Sequence, residues 1–286
     1  MSSTAAVSGS RTVRELQERA ARALPAEHVT DLDGWWLRHA PHCSWWIGTV
    51  LPHGDADPGD MARRITAAER FYTARGTTTR FQITPEACPP ALDPLLAARG
   101  YHRESPISLQ TARTTEVLTH TSRNRPGLPE NRPDLLGNRP SLPEDRPPGL
   151  LEDRLRVELD ERPTRAWFDV WCAVHAHDDP RPEWDLLHRV DQPSAYARAL
   201  LGDEVIAVGR TVADTGWAGV FGMVTLPHHR GKGAAHTILN ALATWSTTQN
   251  APNMYLQAEQ TNPKALHLYT HTTFTELTTF HYRTAK

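Results

Sequence analysis

The sequence predicts an α/β (α+β) chain in which a mixed central sheet is flanked by helices, built as two domains in tandem. Two observations lead to this prediction. Segments whose apolar residues follow a helical period alternate with short β-prone segments bounded by glycine and proline. A proline-rich stretch of low complexity separates two such series. We therefore predict an N-terminal domain at residues 1–112, a linker at 113–151 and a C-terminal domain at 152–286.

The first domain carries the signals of a small mixed sheet with helices. Its two tryptophan pairs, at 35–36 and 45–46, lie in β-prone segments. We expect them to pack in a core or an interface, although they could also line a pocket. Helices are predicted at 13–24, 61–74 and 90–99, and strands at 35–38, 44–50, 79–83 and 107–110.

The linker repeats a seven-residue unit. From residue 124 to 151 the copies read NRPGLPE, NRPDLLG, NRPSLPE and DRPPGLL. A seven-residue period is typical of coiled coils, but proline in every copy excludes a continuous helix. We predict an extended spacer stiffened by proline, and binding of a partner is the alternative.

The second domain has the predicted order β-α-α-β-β-β-α-β-α-β. Glycine-containing turns at 202–204 and 213–216 join three consecutive strands. Strands are predicted at 154–160, 196–201, 205–211, 218–225, 254–258 and 274–283, and helices at 163–174, 182–190, from 235 onward, and at 262–270.

The chain is organised around a strand, a glycine loop and a helix in series, from Trp217 to Asn240. Pro227 ends the strand, because proline cannot donate to a ladder. Residues 228–235 form a loop rich in small residues, and a periodic helix follows. The first amides of such a helix have no internal partner and lie at the positive end of its dipole. The segment therefore predicts a phosphate site.

Two common phosphate motifs do not fit this loop. A Walker loop needs Ser or Thr after Lys232, where Gly233 stands, and a dinucleotide fingerprint needs a further glycine. The pattern that fits is R-x-x-G-x-A, at Arg230, Gly233 and Ala235. It resembles the pyrophosphate motif of the GNAT superfamily of acetyl-CoA-dependent N-acetyltransferases. On the loop alone, a glycine turn without a ligand remains the alternative.

A second match lies downstream, where Asn262, Ala265 and Tyr269 have the N-x-x-A-x-x-x-Y spacing of a GNAT helix. The resemblance implies a GNAT fold, acetyl-CoA as co-substrate, and an Asn262 side chain on the cofactor arm. It also implies that Tyr269 protonates the thiolate or fixes the sulfur, which makes it a catalytic candidate. The implied cofactor-binding residues are Met223, Val224 and Thr225 on the strand, Arg230, Gly231, Lys232, Gly233, Ala234, Ala235 and His236 in the loop, and Asn262 and Tyr269.

The general base is less clear. Many relatives have Glu five residues before the Asn, but Gln257 stands there, and an amide cannot take a proton at neutral pH. Glu259 shares the same strand face and is the candidate base, directly or through water, with a solvated charge as the alternative. Loops between the first two helices contact the acceptor in GNAT folds. There Asp178 and Glu183 are candidate substrate-binding acids for a cationic amine, or parts of a solvated loop.

The first domain shows a weak internal repeat of the second. Phe81 aligns near Leu256, and residues 108–112 align with 281–285. The loop at 55–60 lacks the glycine motif and carries three acids, which would repel a pyrophosphate. We therefore predict a degenerate GNAT-like domain that has lost the cofactor site and shapes the acceptor cleft.

Composition excludes several classes of protein. The net charge is -2 and the basic residues do not cluster, so no nucleic-acid surface is expected. Three distant cysteines and the short His-Ala-His segment at 175–177 form no metal-ligand pattern, so no metal is expected. No signal-like segment and no run near the ~18 apolar residues of a membrane helix is present, which favours a cytoplasmic protein without membrane contact.

These observations predict an acetyl-CoA-dependent N-acetyltransferase. The acceptor is expected to be a primary amine of a small molecule: an antibiotic, an amino acid or a metabolite. A protein amine is the less favoured acceptor, and a homodimer is possible. The alternative function is a non-catalytic acyl-CoA-binding or scaffold protein.

Overall fold

A computed structural model describes residues 2–54, 56–123, 155–175 and 179–286. The linker repeats and Asp178 lie outside these residues. Within them, no helix combines the length and apolarity needed to cross a membrane.

The N-terminal part begins with a helix that starts earlier than the sequence predicts, at Ser2 rather than near residue 13. The helices are α1 (Ser2–Ala23), α2 (Pro58–Thr73), α3 (Leu92–Ala98) and α4 (Thr114–Arg123), and the strands are β1 (His28–Leu32), β2 (Trp35–His39), β3 (Val50–Leu51), β4 (Arg80–Ile83) and β5 (His102–Arg113). Helices α2 and α3 lie close to the predicted positions, whereas α4 covers residues that the sequence predicts as linker.

The C-terminal part has the predicted order of elements. The helices are α5 (Arg165–Val174), α6 (Arg181–His188), α7 (Ala234–Thr248) and α8 (Pro263–His271). The strands are β6 (Leu155–Asp160), β7 (Ser194–Leu201), β8 (Glu204–Asp214), β9 (Trp217–Thr225), β10 (Asn253–Glu259) and β11 (Thr275–Thr284).

One prediction for the N-terminal part is wrong. Residues 44–50 are not a strand, because Trp45–Ile47 form a 3-10 helix. The amide and hydroxyl of Ser44 both donate to Glu183 in α6, and the Ile47 amide donates back to the Ser44 carbonyl at 3.0 Å. Backbone groups used in this way cannot join a strand ladder.

Within the described residues, the strands form one 11-stranded sheet, in the order β1-β2-β3-β4-β11-β5-β10-β9-β8-β7-β6. The two parts of the chain exchange their last strands. β5 pairs with β10 of the C-terminal part, and β11 pairs with β4 of the N-terminal part. The exchanged strands also pair with each other at the centre of the sheet. The mixed sheet flanked by helices therefore confirms the predicted fold class.

The register of the exchange follows the internal repeat. Ser108 of β5 lies opposite Ala258 of β10, and His281 of β11 lies opposite Ile83 of β4. These are the equivalent pairs that the repeat predicts. The sheet therefore has an approximate twofold relation between its halves.

Helix α7 is the main helix of the C-terminal core. Ile238, Leu239 and Leu242 are fully buried in a cluster that covers one face of the sheet. Val117 of α4 is buried in the same cluster, and Asn240 donates to the Thr121 hydroxyl at 2.8 Å. The first residues of the predicted 113–151 linker thus form a helix that packs on α7. The domain limits themselves stay a prediction.

We expect a chain that is cut inside the predicted linker to remain one particle. The reason is that β5 lies between two strands of the C-terminal part, β11 and β10, while β11 lies between two strands of the N-terminal part, β4 and β5. A protease-recognition sequence inserted between residues 124 and 151 permits the cut after folding, and size-exclusion chromatography measures the result. A single peak containing both fragments is expected, and two separate peaks would contradict the strand exchange.

Candidate active site

The site begins where two neighbouring strands part. The parallel pairing of β9 with β10 runs from Trp217 opposite Asn253 to Val220 opposite Leu256, and it stops there. β9 continues to Thr225 without this partner. Buried backbone amides and carbonyls are rarely left without a partner. The open end of β9 therefore offers backbone hydrogen-bonding groups to a ligand.

A bulge in β9 lies at the same level. Phe221 and Val224 pair with Arg210 and Val208 of β8, so two residues of β9 face one residue of β8. Gly222 in the bulge has a φ of +60°, a conformation that favours glycine.

Trp167 of α5 supports this bulge. Its indole Nε1 donates to the Gly209 carbonyl at 3.0 Å. A Cβ at Gly209 would lie 2.4 Å from the Met223 sulfur, and one at Gly222 would lie 3.2 Å from the Trp167 ring. The two glycines and the tryptophan therefore form one unit that fixes the bulge of β9 beside β8.

The glycine loop after β9 has the geometry of an anion cradle. Gly231 and Gly233 have φ values of +80° and +81°. The intrahelical ladder of α7 starts with the Thr237 amide donating to the Gly233 carbonyl at 3.1 Å. The amides of residues 234–236 precede this bond and have no such partner, and they lie at the positive end of the helix dipole.

Positive charge at the loop comes from Arg230 and Lys232. Arg230 donates to the Thr225 carbonyl at 3.3 Å, and Lys232 lies 3.4 Å from the ring of His229. The pKa of His236 is lowered by burial and by the nearby His120 and His271, so this imidazole is neutral at pH 7.

A cavity of about 1280 Å³ lies against this loop. We call it the loop cavity. It is lined by every residue that the sequence predicts to bind the cofactor, and also by His175, His229, Lys264 and His267. The residues that the sequence predicts to bind the cofactor therefore lie together on one surface. Their roles stay a prediction.

A second cavity, of about 580 Å³, lies in the opening between β9 and β10. We call it the aromatic cavity. Both parts of the chain contribute to its wall, because the 3-10 helix Trp45–Ile47 comes from the N-terminal part and the exchanged strand β11 closes one side. Its aromatic lining consists of Trp45, Trp46, Trp167, Trp171, Phe221, Tyr269, Phe280 and Tyr282.

The two cavities meet at five residues that line both: His175, Met223, Asn262, Ala265 and Tyr269. Asn262 caps α8, since its side-chain oxygen accepts from the Ala265 amide at 3.1 Å. Tyr269 is 8% exposed, and burial raises its pKa to about 12. None of the described residues hydrogen bonds to its hydroxyl. A protonated phenol without a partner among the described residues therefore lies where the cavities join.

Gln257 and Glu259, the two residues considered for the position of the general base, have different environments at the end of β10. Gln257 donates to Gln17 of α1 at 2.7 Å, and Gln82 of β4 donates to the same oxygen at 2.7 Å. Gln257 is therefore part of a structural network on the approximate twofold axis. Glu259 is exposed and lines the aromatic cavity. Its carboxylate is open to a ligand or a water.

Glu183 differs from the solvated loop acid that the sequence allowed. It lies on α6, is 4% exposed, and lines the aromatic cavity. One oxygen accepts from the Ser44 amide at 2.6 Å and from the Ser44 hydroxyl at 2.5 Å. Trp45 and Trp46 line this cavity, which is the alternative that the sequence left open, and Trp45 also packs against a buried cluster as expected.

Two features of the site were missed from the sequence. The bulge was not predicted, although Gly209 and Gly222 inside β-prone runs were a usable signal. The contact between Ser44 and Glu183 joins distant parts of the chain, and no local pattern announces it.

Comparisons with known proteins agree with this geometry. The family model of the Acetyltransferase (GNAT) family matches residues 157–274. A Bacillus subtilis (strain 168) protein named "Uncharacterized N-acetyltransferase YobR" is 22% identical over 273 residues, covering 95% of this chain and 98% of that protein.

Solved structures match the fold over nearly the whole chain. A tandem GNAT protein from the clavulanic acid biosynthesis pathway has a TM-score of 0.62 at 10% identity, covering 99% of this chain and 95% of that one. A GCN5-related N-acetyltransferase from Kribbella flavida has a TM-score of 0.61 at 14% identity, covering 96% and 95%. At these identities the likeness concerns the fold. Residues 157–274 are therefore similar in sequence to the Acetyltransferase (GNAT) family, and the chain as a whole has the fold of the tandem GNAT protein.

Proposed function

We propose that this protein transfers an acetyl group from acetyl-CoA to a primary amine of a small molecule. The observation that carries the proposal is the meeting of two cavities at Tyr269. One is lined by the glycine loop, and the other has eight aromatic side chains among its described lining residues. Such an arrangement brings a thioester and an amine together from two sides.

The loop cavity fits acetyl-CoA by its chemistry. The free amides of residues 234–236, Arg230 and Lys232 suit the pyrophosphate. The unpaired edge of β9 from Gly222 to Thr225 suits the amide groups of the pantetheine arm. Backbone N–H groups at this edge would also polarise the thioester carbonyl as negative charge develops on its oxygen.

The reaction forms one bond and breaks one. The lone pair of the neutral amine attacks the thioester carbonyl carbon, a C–N bond forms, and the C–S bond breaks with its electron pair on sulfur. The amine nitrogen loses one proton, and the thiolate finally gains one. The residues of the junction have to accept the first proton and stabilise the thiolate.

Tyr269 suits the stabilisation of the sulfur. Its pKa of about 12 lies well above that of a simple thiol, roughly 8.5. Full transfer of the phenol proton to a thiolate is therefore uphill. A hydrogen bond from the phenol to the developing thiolate needs no transfer and lowers the barrier when the C–S bond breaks. The structure thus favours fixing the sulfur over donating the proton.

Glu259 suits the role of accepting the proton that the amine loses. It lines the aromatic cavity at the end of β10 beside Asn262, whose amide donates to the Glu259 carbonyl at 3.0 Å. A carboxylate there can take the proton directly or through a water.

The N-terminal part carries no glycine motif, so its proposed role is to supply Ser44–Ile47 to the acceptor wall.

A non-catalytic acyl-CoA-binding protein is the alternative. Assaying thiol release from acetyl-CoA across a panel of primary amines separates the two functions. The proposal requires release that depends on an amine and on enzyme concentration. Binding of acetyl-CoA without release for any amine would support the alternative.

Replacing Gly233 by Val is expected to abolish acetyl-CoA binding. Its φ of +81° strains a β-branched residue by about 1–2 kcal/mol, and the side chain would occupy the approach to the free amides. Titration calorimetry with acetyl-CoA measures the effect. Gly216→Val is the matched control, because Gly216 has a φ of +77° in a turn outside both cavities. Unchanged affinity in Gly233→Val would refute the loop assignment.

Replacing Tyr269 by Phe is expected to lower kcat without a matching rise in KM for acetyl-CoA. Because the leaving thiolate loses one hydrogen bond, the loss should be about 100-fold or less. Tyr101→Phe is the control, since that hydroxyl bonds to Glu69 in the N-terminal part and lines neither cavity. Normal kcat in Tyr269→Phe would reduce Tyr269 to a packing residue.

Replacing Glu259 by Gln tests the proton from the amine. Loss of the base should lower kcat and flatten the acidic limb of the pH–rate profile, because an amide cannot accept the proton. If the limb survives with lower kcat, it belongs to deprotonation of the ammonium substrate. A variant with both normal kcat and the original limb would show that Glu259 is not the base.

A further inference from the structure

The Glu183 side chain is a buried carboxylate with one oxygen fixed and one available. Both Ser44 hydrogen bonds go to Oε1. No described residue hydrogen bonds to Oε2, and none of the described basic side chains forms an ion pair with this carboxylate. A buried charge without a paired ion is costly unless a ligand supplies the partner.

The surroundings of Glu183 favour a cation as this partner. The cavity wall contains four tryptophans, and their ring faces attract positive charge. Arg210 also lines the cavity, but it donates to the Ala23 carbonyl at 2.8 Å and lies 5.0 Å above the Phe221 ring. It offsets part of the charge of Glu183 at a distance and does not contact it.

Glu183 does not lie where the chemistry is expected. It lines the aromatic cavity only, on the wall made by α6 and Ser44–Ile47. The junction at Tyr269 and Asn262 is a different part of the wall. A ligand that uses both needs two nitrogen atoms joined by an apolar body that packs against the tryptophans.

We propose, building on the acetyltransferase function above, that the acceptor is a diamine with an apolar spacer. One amine is neutral and reacts at the junction. The second amine is protonated, as expected for an alkylamine of pKa about 10.4, and binds Oε2 of Glu183. Only the first is acetylated in a binding event, because the second is held away from the thioester.

The first test uses the wild-type protein and compares matched acceptors with one another. Thiol release from acetyl-CoA is measured for α,ω-diaminoalkanes of increasing length, each beside the monoamine and the amino alcohol of the same length. The kcat/KM for the diamine should exceed the values for the monoamine and the amino alcohol by roughly 10- to 100-fold. This factor corresponds to the free energy of one hydrogen bond to a charged group. The advantage should peak at one chain length, since the wall fixes the distance between the two sites.

Glu183→Gln tests the residue. Glutamine keeps the size of the side chain and an oxygen for Ser44, but it removes the charge. The variant should lose kcat/KM for the best diamine by a similar factor and much less for the monoamine. Asp185→Asn is the control, because Asp185 is an exposed acid on the same helix outside the cavity, and it should keep the diamine preference. Equal thermal midpoints of unfolding establish that both variants fold.

The outcomes separate this proposal from the general function. Thiol release with monoamines but no advantage for any diamine would overturn the diamine proposal and leave the acetyltransferase function standing. Equal losses for both substrate types in Glu183→Gln would do the same. No release with any amine, in a protein that binds acetyl-CoA, would overturn both.

Discussion

The site depends on the point where β9 and β10 stop pairing, at Val220 and Leu256. Beyond it the backbone of β9 has lost one neighbour, and the space between the strands becomes the cavity. A parted pair of strands would normally close, because unpaired backbone groups are costly. Here the bulge at Gly222, the Trp167 indole on the Gly209 carbonyl and the closely fitted Met223 side chain hold it open. The opening is thus bordered by packing among β8, β9 and α5, and the Trp167 and Met223 side chains also line the cavity.

The exchange of β5 and β11 places the N-terminal part at this opening. β10 has β9 on one side and the exchanged β5 on the other, so the strand that forms the site is supported by both parts of the chain. The same arrangement brings the 3-10 helix Trp45–Ile47 across to α6, where Ser44 binds Glu183. A repeat that lacks the glycine motif can therefore still contribute to the site by forming one wall of the aromatic cavity.

The sequence predicted the local parts of this structure well. The order of elements in the C-terminal part and the loop with its two glycines follow from periodicity and turn residues, which act over a few positions. It predicted less where contacts between residues far apart in the chain determine the structure. The segment at 44–50 has the composition of a strand, but its Ser44 groups bind Glu183 instead. The strand exchange, the role of Trp167 and the burial of Glu183 rest on contacts between residues far apart in the chain, and no local pattern encodes them.

The central claim is that acetyl-CoA lies along the open edge of β9 and meets the acceptor at Tyr269. A crystal structure of the protein with CoA tests this most directly. The account predicts the pyrophosphate on the amides of residues 234–236, the pantetheine arm between β9 and β10, and the sulfur within hydrogen-bonding distance of the Tyr269 hydroxyl. CoA bound elsewhere, for example between β3 and β4 of the N-terminal part, or with its sulfur remote from Tyr269, would contradict it.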